Sequence, residues 1–312
     1  MLQVPRRGFQ PSAKKNNIKV EILGDWLEAN LLFFQEPISK VDVVDFLDEQ
    51  QICMDQDLAH IIADEGWSEL RRRKQAASIS DARLSIDGKS VYTGVRWEDD
   101  PIRAFFVALS LFYAYPDWGE ERRNAPVQGL LFERVVEAIS RNLFPGWETY
   151  RVGWSPAFTE SMHDVVKELC DRLNCVGSSK LDHWIPDQAK DGGLDLVCYK
   201  HFNDDREALP IYLLQCASGS NWRAKVNTPS PDNWQKYLDS AVRPGTGIAA
   251  PFVVPAKKLR VSALQGQAIV LDRLRLLSGL YVDESVIDEP LKSDVIEWLT
   301  PFLAELPIID EK

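Results

Sequence analysis

The residues whose types and spacing suggest chemistry are Asp195 and Gln215. Residues 190–199, Lys-Asp-Gly-Gly-Leu-Asp-Leu-Val-Cys-Tyr, and 211–217, Ile-Tyr-Leu-Leu-Gln-Cys-Ala, read as two short strands joined by a charged loop around Asn203–Glu207. Side chains alternate along a strand, so Asp195, Val197 and Tyr199 share one face, and Leu213, Gln215 and Ala217 share one face of the partner. Asp195 opens the first strand behind Gly192-Gly193, and Gln215 lies near the end of the second. A hairpin therefore brings both to the same end. Taken singly, an Asp capping its own turn and a Gln ending a strand at the surface are ordinary. A carboxylate and an amide together on otherwise apolar strands mark a candidate site.

Two further elements must position that site. Residues 127–144 have the spacing of an amphipathic helix, with Leu131, Val135, Ala138 and Ile139 inward and Glu133 and Glu137 one turn apart. After the hairpin, Asn221-Trp-Arg-Ala-Lys225 reads as a helix start, which would put Asn221 and Lys225 on one face looking back at the strand end. Ser218 and Ser220 have no His base in register and are not read as nucleophiles. His163, Cys170, Cys175 and His183 do not follow a recognised zinc-ligand spacing.

The run Asp-Gly-Gly-Leu-Asp195-Leu-Val, followed by an apolar strand ending in Gln215-Cys216, resembles the PD-(D/E)xK nuclease superfamily, in particular its Mrr-type restriction endonucleases. Phe132-Glu133 matches the glutamate that this family places on a preceding helix. The resemblance spans roughly residues 127–255, and it departs at Ala217, where the family has lysine. It implies a restriction-endonuclease-like mixed sheet flanked by helices and a Mg²⁺- or Mn²⁺-dependent DNA endonuclease acting in bacterial, antiviral defence. Asp195 would be the central metal ligand, helped by Glu133 and the Cys216 carbonyl, because magnesium takes hard oxygens. Gln215 would ligate through its amide oxygen or orient the attacking water. Lys225 is the candidate replacement for the missing lysine, with Lys190 second. The alternative is a catalytically degenerate nuclease fold serving as a DNA-binding or assembly subunit. The implied partners are DNA, other protein subunits and further copies of the chain.

Composition bounds these readings. The 312 residues, 45% hydrophobic with 10 Trp and 13 Phe, suffice for a large interior and suggest about two domains. Their boundary is expected in the charged, Pro-flanked stretch 116–126, giving a mainly helical N-terminal domain (1–120) and an α/β nuclease-like domain (121–312). In the first, Ser39 and Asp55 cap successive helices and Asp87-Gly88 turns a hairpin, a winged-helix order. The cations Arg71–Lys74 there would complement a helix C-terminus or touch phosphates. The basic opening arm with Arg6, Arg7, Lys14, Lys15 and Lys19 is expected to be disordered. Five cysteines fit reduced thiols in the cytoplasm, and no apolar run is long enough to span a membrane. A net charge of −11 disfavours a broad non-specific grip on nucleic acid; a local basic groove would be enough, metal ions can supply positive charge, and binding is expected to depend on a partner or on metal.

Overall fold

The computed structural model describes residues 1–10, 18–53, 55–152, 161–185 and 192–309. Helix α1 (Val20–Phe34) is buried almost all round and lies at the centre of the N-terminal half. A short strand β1 (Ile38–Ser39) leads into α2 (Lys40–Glu49), which begins in a reciprocal capping box between Ser39 and Asp42. Asp55 accepts from the Asp57 N–H to cap α3 (Gln56–Ala76). Strands β2 (Ser85–Ile86) and β3 (Ser90–Tyr92) form the expected hairpin, and β1 pairs with β3 to make a three-stranded antiparallel sheet. The apolar α4 (Pro101–Ala114) is buried along nearly its whole length.

Next, α5 (Ala125–Leu143) starts at an Asn124 cap and precedes β4 (Glu148–Arg151), α6 (Met162–Leu173) and the short α7 (Leu181–Trp184). Strands β5 (Leu196–Tyr199) and β6 (Ile211–Cys216) follow, then α8 (Pro231–Tyr237), β7 (Gly245–Ala249), α9 (Ala256–Gly266), β8 (Ala268–Leu271), α10 (Arg273–Leu280) and α11 (Glu289–Leu303). The sheet order is β4-β5-β6-β7-β8; β4 to β6 are antiparallel, and β7 and β8 run parallel to β6. The chain is thus α/β, with a five-stranded mixed sheet flanked by helices. Among the described residues no helix is long and apolar enough to cross a membrane.

Strand alternation divides the sheet into two apolar faces. Leu196, Cys198, Leu214 and Cys216 pack with Phe132, Val135 and Ile139 of α5, in a cluster that continues through α1, α4 and α11. On the other face, Val197, Tyr199 and Leu213 meet Val166 and Leu169 of α6 and Trp234 of α8. Further along that face Ala217, Ile248 and Val270 pack with Trp222 and Val226. The stretch 116–126, expected as a linker, lies on the first cluster: Trp118 is buried and donates from Nε1 to Phe302 O at 3.0 Å. The same cluster runs through residues on both sides of position 120.

The expected disorder of the opening arm is corrected. Residues 1–10 are docked, with Leu2 buried and its N–H donating to Asn30 Oδ1, while Gln3 N–H donates to Pro307 O; Lys14 and Lys15 lie outside the described residues. Pro290 stands in the first turn of α11, where proline lacks only an N–H that has no helical partner. Residues 268–277 split into a strand and a helix at the capping residue Asp272.

The cations of α3 serve the interior and its edge. Arg72 pairs with Glu69 and Lys74 with Asp81. Arg73, 0% exposed, reaches Asp25 and Glu28 of α1 at 2.7 Å and Glu69 at 2.8 Å. Arg103 of α4 and Arg273 of α10 join the same carboxylates, at 2.9 Å and 3.1 Å from Glu28. Gly24 makes this possible, since a Cβ there would sit 2.6 Å from the Arg73 guanidinium. Burial opposes the ionisation of Glu28, but Arg273, Arg103 and Arg73 outweigh it and hold the carboxyl down at about 2.

Candidate active site

The register of β5 and β6, Leu196 opposite Leu214 and Val197 opposite Leu213, carries Asp195 and Gln215 to the same end of the hairpin. They touch there: Gln215 Nε2 donates to Asp195 Oδ2. The backbone N–H of Cys216 donates to the same oxygen at 2.5 Å. Both side chains are buried, at 6% and 7% exposure, so each needs such partners to offset the loss of water. The expected pairing is therefore present, but with a changed role for Gln215. Its amide nitrogen, not its oxygen, faces the carboxylate, so it positions Asp195 in this arrangement.

The turn before Asp195 explains why the sequence needs two glycines. Gly193 has φ +73°, a left-handed conformation that side chains with a Cβ adopt at a cost. A Cβ on Gly193 would lie 2.0 Å from Thr228 Cγ2 and 3.2 Å from Gln215 Oε1. Thr228 thus closes the turn from the segment after β6, a contact without any signal in the local sequence.

Glu133 projects from α5, on the far side of the sheet from Val197 and Leu213. Its connection to Asp195 runs through Cys216, whose side chain points toward α5. Burial pushes the Cys216 thiol well above its ordinary range, and the negative charges of Asp195 and Glu133 push it further. Both carboxylates therefore act on one atom at the end of β6. Arg151 of β4 offsets part of that charge and binds Glu137, one turn along α5, at 3.2 Å. Gln128 of α5 also donates to Ser218 Oγ at 3.0 Å, tying the helix to the loop that leaves β6.

The lysine positions fare differently. Ala217 is 2% exposed, and its N–H donates to Ala249 O at 2.9 Å beneath Trp222 and Ile248. Lys225 ends a 3-10 turn, Trp222–Lys225, rather than the expected α-helix. Such a turn advances three residues per revolution, so Ala224, whose N–H donates to Asn221 O, stacks over Asn221, and Lys225 is displaced from that face. Among the described residues no hydrogen bond or ion pair joins Lys225 to Asp195 or Gln215. Lys190 lies outside the described residues. Lys200 follows the far end of β5 and reaches the turn at Gly146.

Among the described residues, no group of three or more His, Cys, Asp or Glu side chains converges in the manner of a metal cage. His163, set aside as a zinc ligand from its spacing, bonds Asp182 at 2.7 Å instead. What the site offers is one carboxylate fixed by a neighbouring strand and a second on the adjoining helix. No protein-family model matches this chain, and comparison with curated proteins and with solved structures gives no significant match.

Proposed function

We propose that the five-stranded sheet carries a metal-dependent DNA endonuclease that hydrolyses phosphodiester bonds in cytoplasmic defence against foreign DNA. The observation that carries this reading is Asp195, set behind a two-glycine turn and bound to Gln215 and the Cys216 N–H. The helix-borne Glu133 acts on the same strand end. This combination of helix glutamate, turn aspartate and strand glutamine is the one the resemblance to the PD-(D/E)xK superfamily implies.

The donor chemistry fits a hard divalent cation. Magnesium commonly uses one or two protein carboxylates and fills its remaining positions with water and substrate phosphate. Asp195 and Glu133 would hold it, with the Cys216 carbonyl as a further oxygen. When bound, such an ion polarises a phosphoryl oxygen and lowers the pKa of a bound water. The chain's own contribution is orientation: Gln215 and the Cys216 N–H fix the rotamer of Asp195, and Gly193 and Thr228 fix the turn before it. Lys225 would supply a mobile cation to the phosphate.

A second reading, a degenerate nuclease fold acting as a DNA-binding or assembly subunit, is favoured by the apolar burial of Ala217. Incubating purified protein with supercoiled plasmid and Mg²⁺ or Mn²⁺ separates the two. Nicking or cutting is expected for the enzyme. Intact plasmid with either ion, together with an Asp195→Ala variant that keeps full biological function, would leave only the binding role.

A further inference from the structure

A half-open cavity of about 190 Å³ lies where the N-terminal helices meet the sheet. That exceeds the roughly 150 Å³ that takes a benzene-sized guest, so a phosphate-sized group has room. One wall is the chain leaving the carboxyl ends of β6 and β7, namely Ser220, Trp222 and Arg223, and Phe252 to Pro255. Crevices at the carboxyl ends of strands are where open α/β sheets bind ligands. The opposite wall is the start of α1 and Tyr113 of α4.

The charges around this cavity are unbalanced in favour of cations. Its two carboxylates are already neutralised: Asp25 by Arg73 and Arg273, and Glu21 by Lys258, which bonds it at 2.9 Å. Burial opposes the ionisation of Glu21, but Lys258 and the nearby Lys19 outweigh it and keep the carboxyl below its usual range. Two cations remain. Lys19 donates to Tyr113 Oη at 3.4 Å, and Arg223 lies 5.4 Å from the centroid of the Trp222 ring. Among the described residues neither has a carboxylate within ion-pairing distance. Arg7, 5.4 Å from the centroid of the Tyr113 ring, extends the positive rim. In a chain of net charge −11, such a cluster is a local exception that suits a phosphodiester.

The cavity also lies within a short chain reach of the Asp195–Gln215 pair. Ser220 follows Gln215 by five residues, a reach of at most about 17 Å. That spans at most about five nucleotide steps at roughly 3.4 Å of rise per strand residue. We propose that this cavity anchors the backbone of a DNA strand, with Lys19 and Arg223 contacting phosphates a few nucleotides from Asp195. This rests on the DNA reading above and adds to it a binding surface built jointly by the N-terminal helices and the sheet.

The test is binding without cleavage. A fluorescein-labelled DNA duplex is titrated with the full chain in EDTA across a salt series, using wild type, Lys19→Gln, Arg223→Gln, the double variant and Lys292→Gln. Lys292 serves as a control because it pairs with Glu289 on α11. Both target side chains are at the surface, and thermal melts verify folding. The double variant is expected to bind roughly tenfold more weakly, with its log–log salt slope reduced by about 0.9 for each lost contact and the control unchanged. Equal affinity and slope for wild type and double variant, or no binding by wild type, would overturn the proposal. If that result accompanies metal-dependent nicking, the anchoring cavity fails and the nuclease survives. Cavity-dependent binding without any nicking leaves the cavity standing and removes the nuclease.

Discussion

The Asp195 carboxylate accepts the backbone N–H of Cys216 at 2.5 Å, so the acid at the candidate site is held by the main chain of the next strand. A side-chain partner can be lost by mutation; this one stays while β5 and β6 remain paired. The consequence is that the position of Asp195 should withstand changes at Gln215 better than changes in the turn that delivers it.

Replacing Gln215 with Leu removes a donor to a buried carboxylate and leaves the strand intact. A destabilisation of about 1–3 kcal/mol is expected, the usual cost of an under-satisfied buried polar group. Urea unfolding followed by tryptophan fluorescence reads it. Gln215→Glu should cost more, because it sets two carboxylates against each other where the amide N–H now donates.

Gly193→Ala combines a φ of +73° with a Cβ placed 2.0 Å from Thr228 Cγ2. A loss of at least about 1–2 kcal/mol is expected from the left-handed conformation alone. Adding Thr228→Ser removes the clashing methyl and should restore part of the loss. If the second substitution restores nothing, the close approach of these residues is not what requires glycine.

Placing at position 217 the lysine that the PD-(D/E)xK resemblance would put there should fail. Ala217→Lys would drive an ammonium into the apolar cluster of Trp222, Ile248 and Val270, where burial opposes the charge. Marked destabilisation with no gain in nicking is expected from melts and plasmid assays. By contrast, Lys225→Ala should lower metal-supported cleavage by roughly 10²–10³, as loss of an electrostatic donor does. Lys200→Ala, at the other end of β5, should change it little. Equal activities would remove Lys225 from the site.

Acid sensitivity should trace to the buried network. The carboxyl of Glu28 is held at about 2, below its ordinary 4.5, so its contribution to stability is complete above the ordinary value. It is lost as pH falls from about 4.5 toward 2. Glu28→Gln, which leaves Arg73, Arg103 and Arg273 short of one countercharge, should cost about 3–5 kcal/mol at neutral pH. The variant should also show a flatter decline of melting temperature over that acid window.

What the sequence made legible was local. The alternation that put Asp195 and Gln215 on matching faces, the Ser39 and Asp55 caps and the Asp87-Gly88 hairpin all depend on residues a few positions apart. What it concealed was remote. Arg73 belongs to a helix C-terminus by position, yet its partners Asp25 and Glu28 come from α1, and Arg273, which shares them, lies two hundred residues further on. Trp222 covering Ala217 and Thr228 closing the turn at Gly193 are contacts between segments with no common pattern. The displacement of Lys225 from the face of Asn221 turns on whether a four-residue element winds as α or 3-10, which propensities do not distinguish.

The most direct measurement is the rate of plasmid nicking by wild type and Asp195→Asn, side by side in Mg²⁺ and in EDTA. Asparagine keeps the size of the side chain and removes its charge, so a change in rate reports the carboxylate rather than the fold. The expected result is nicking by wild type that requires the metal and falls by at least about 10² in the variant. Nicking at the same rate by both proteins, or nicking that persists in EDTA, would contradict a metal-dependent site centred on Asp195.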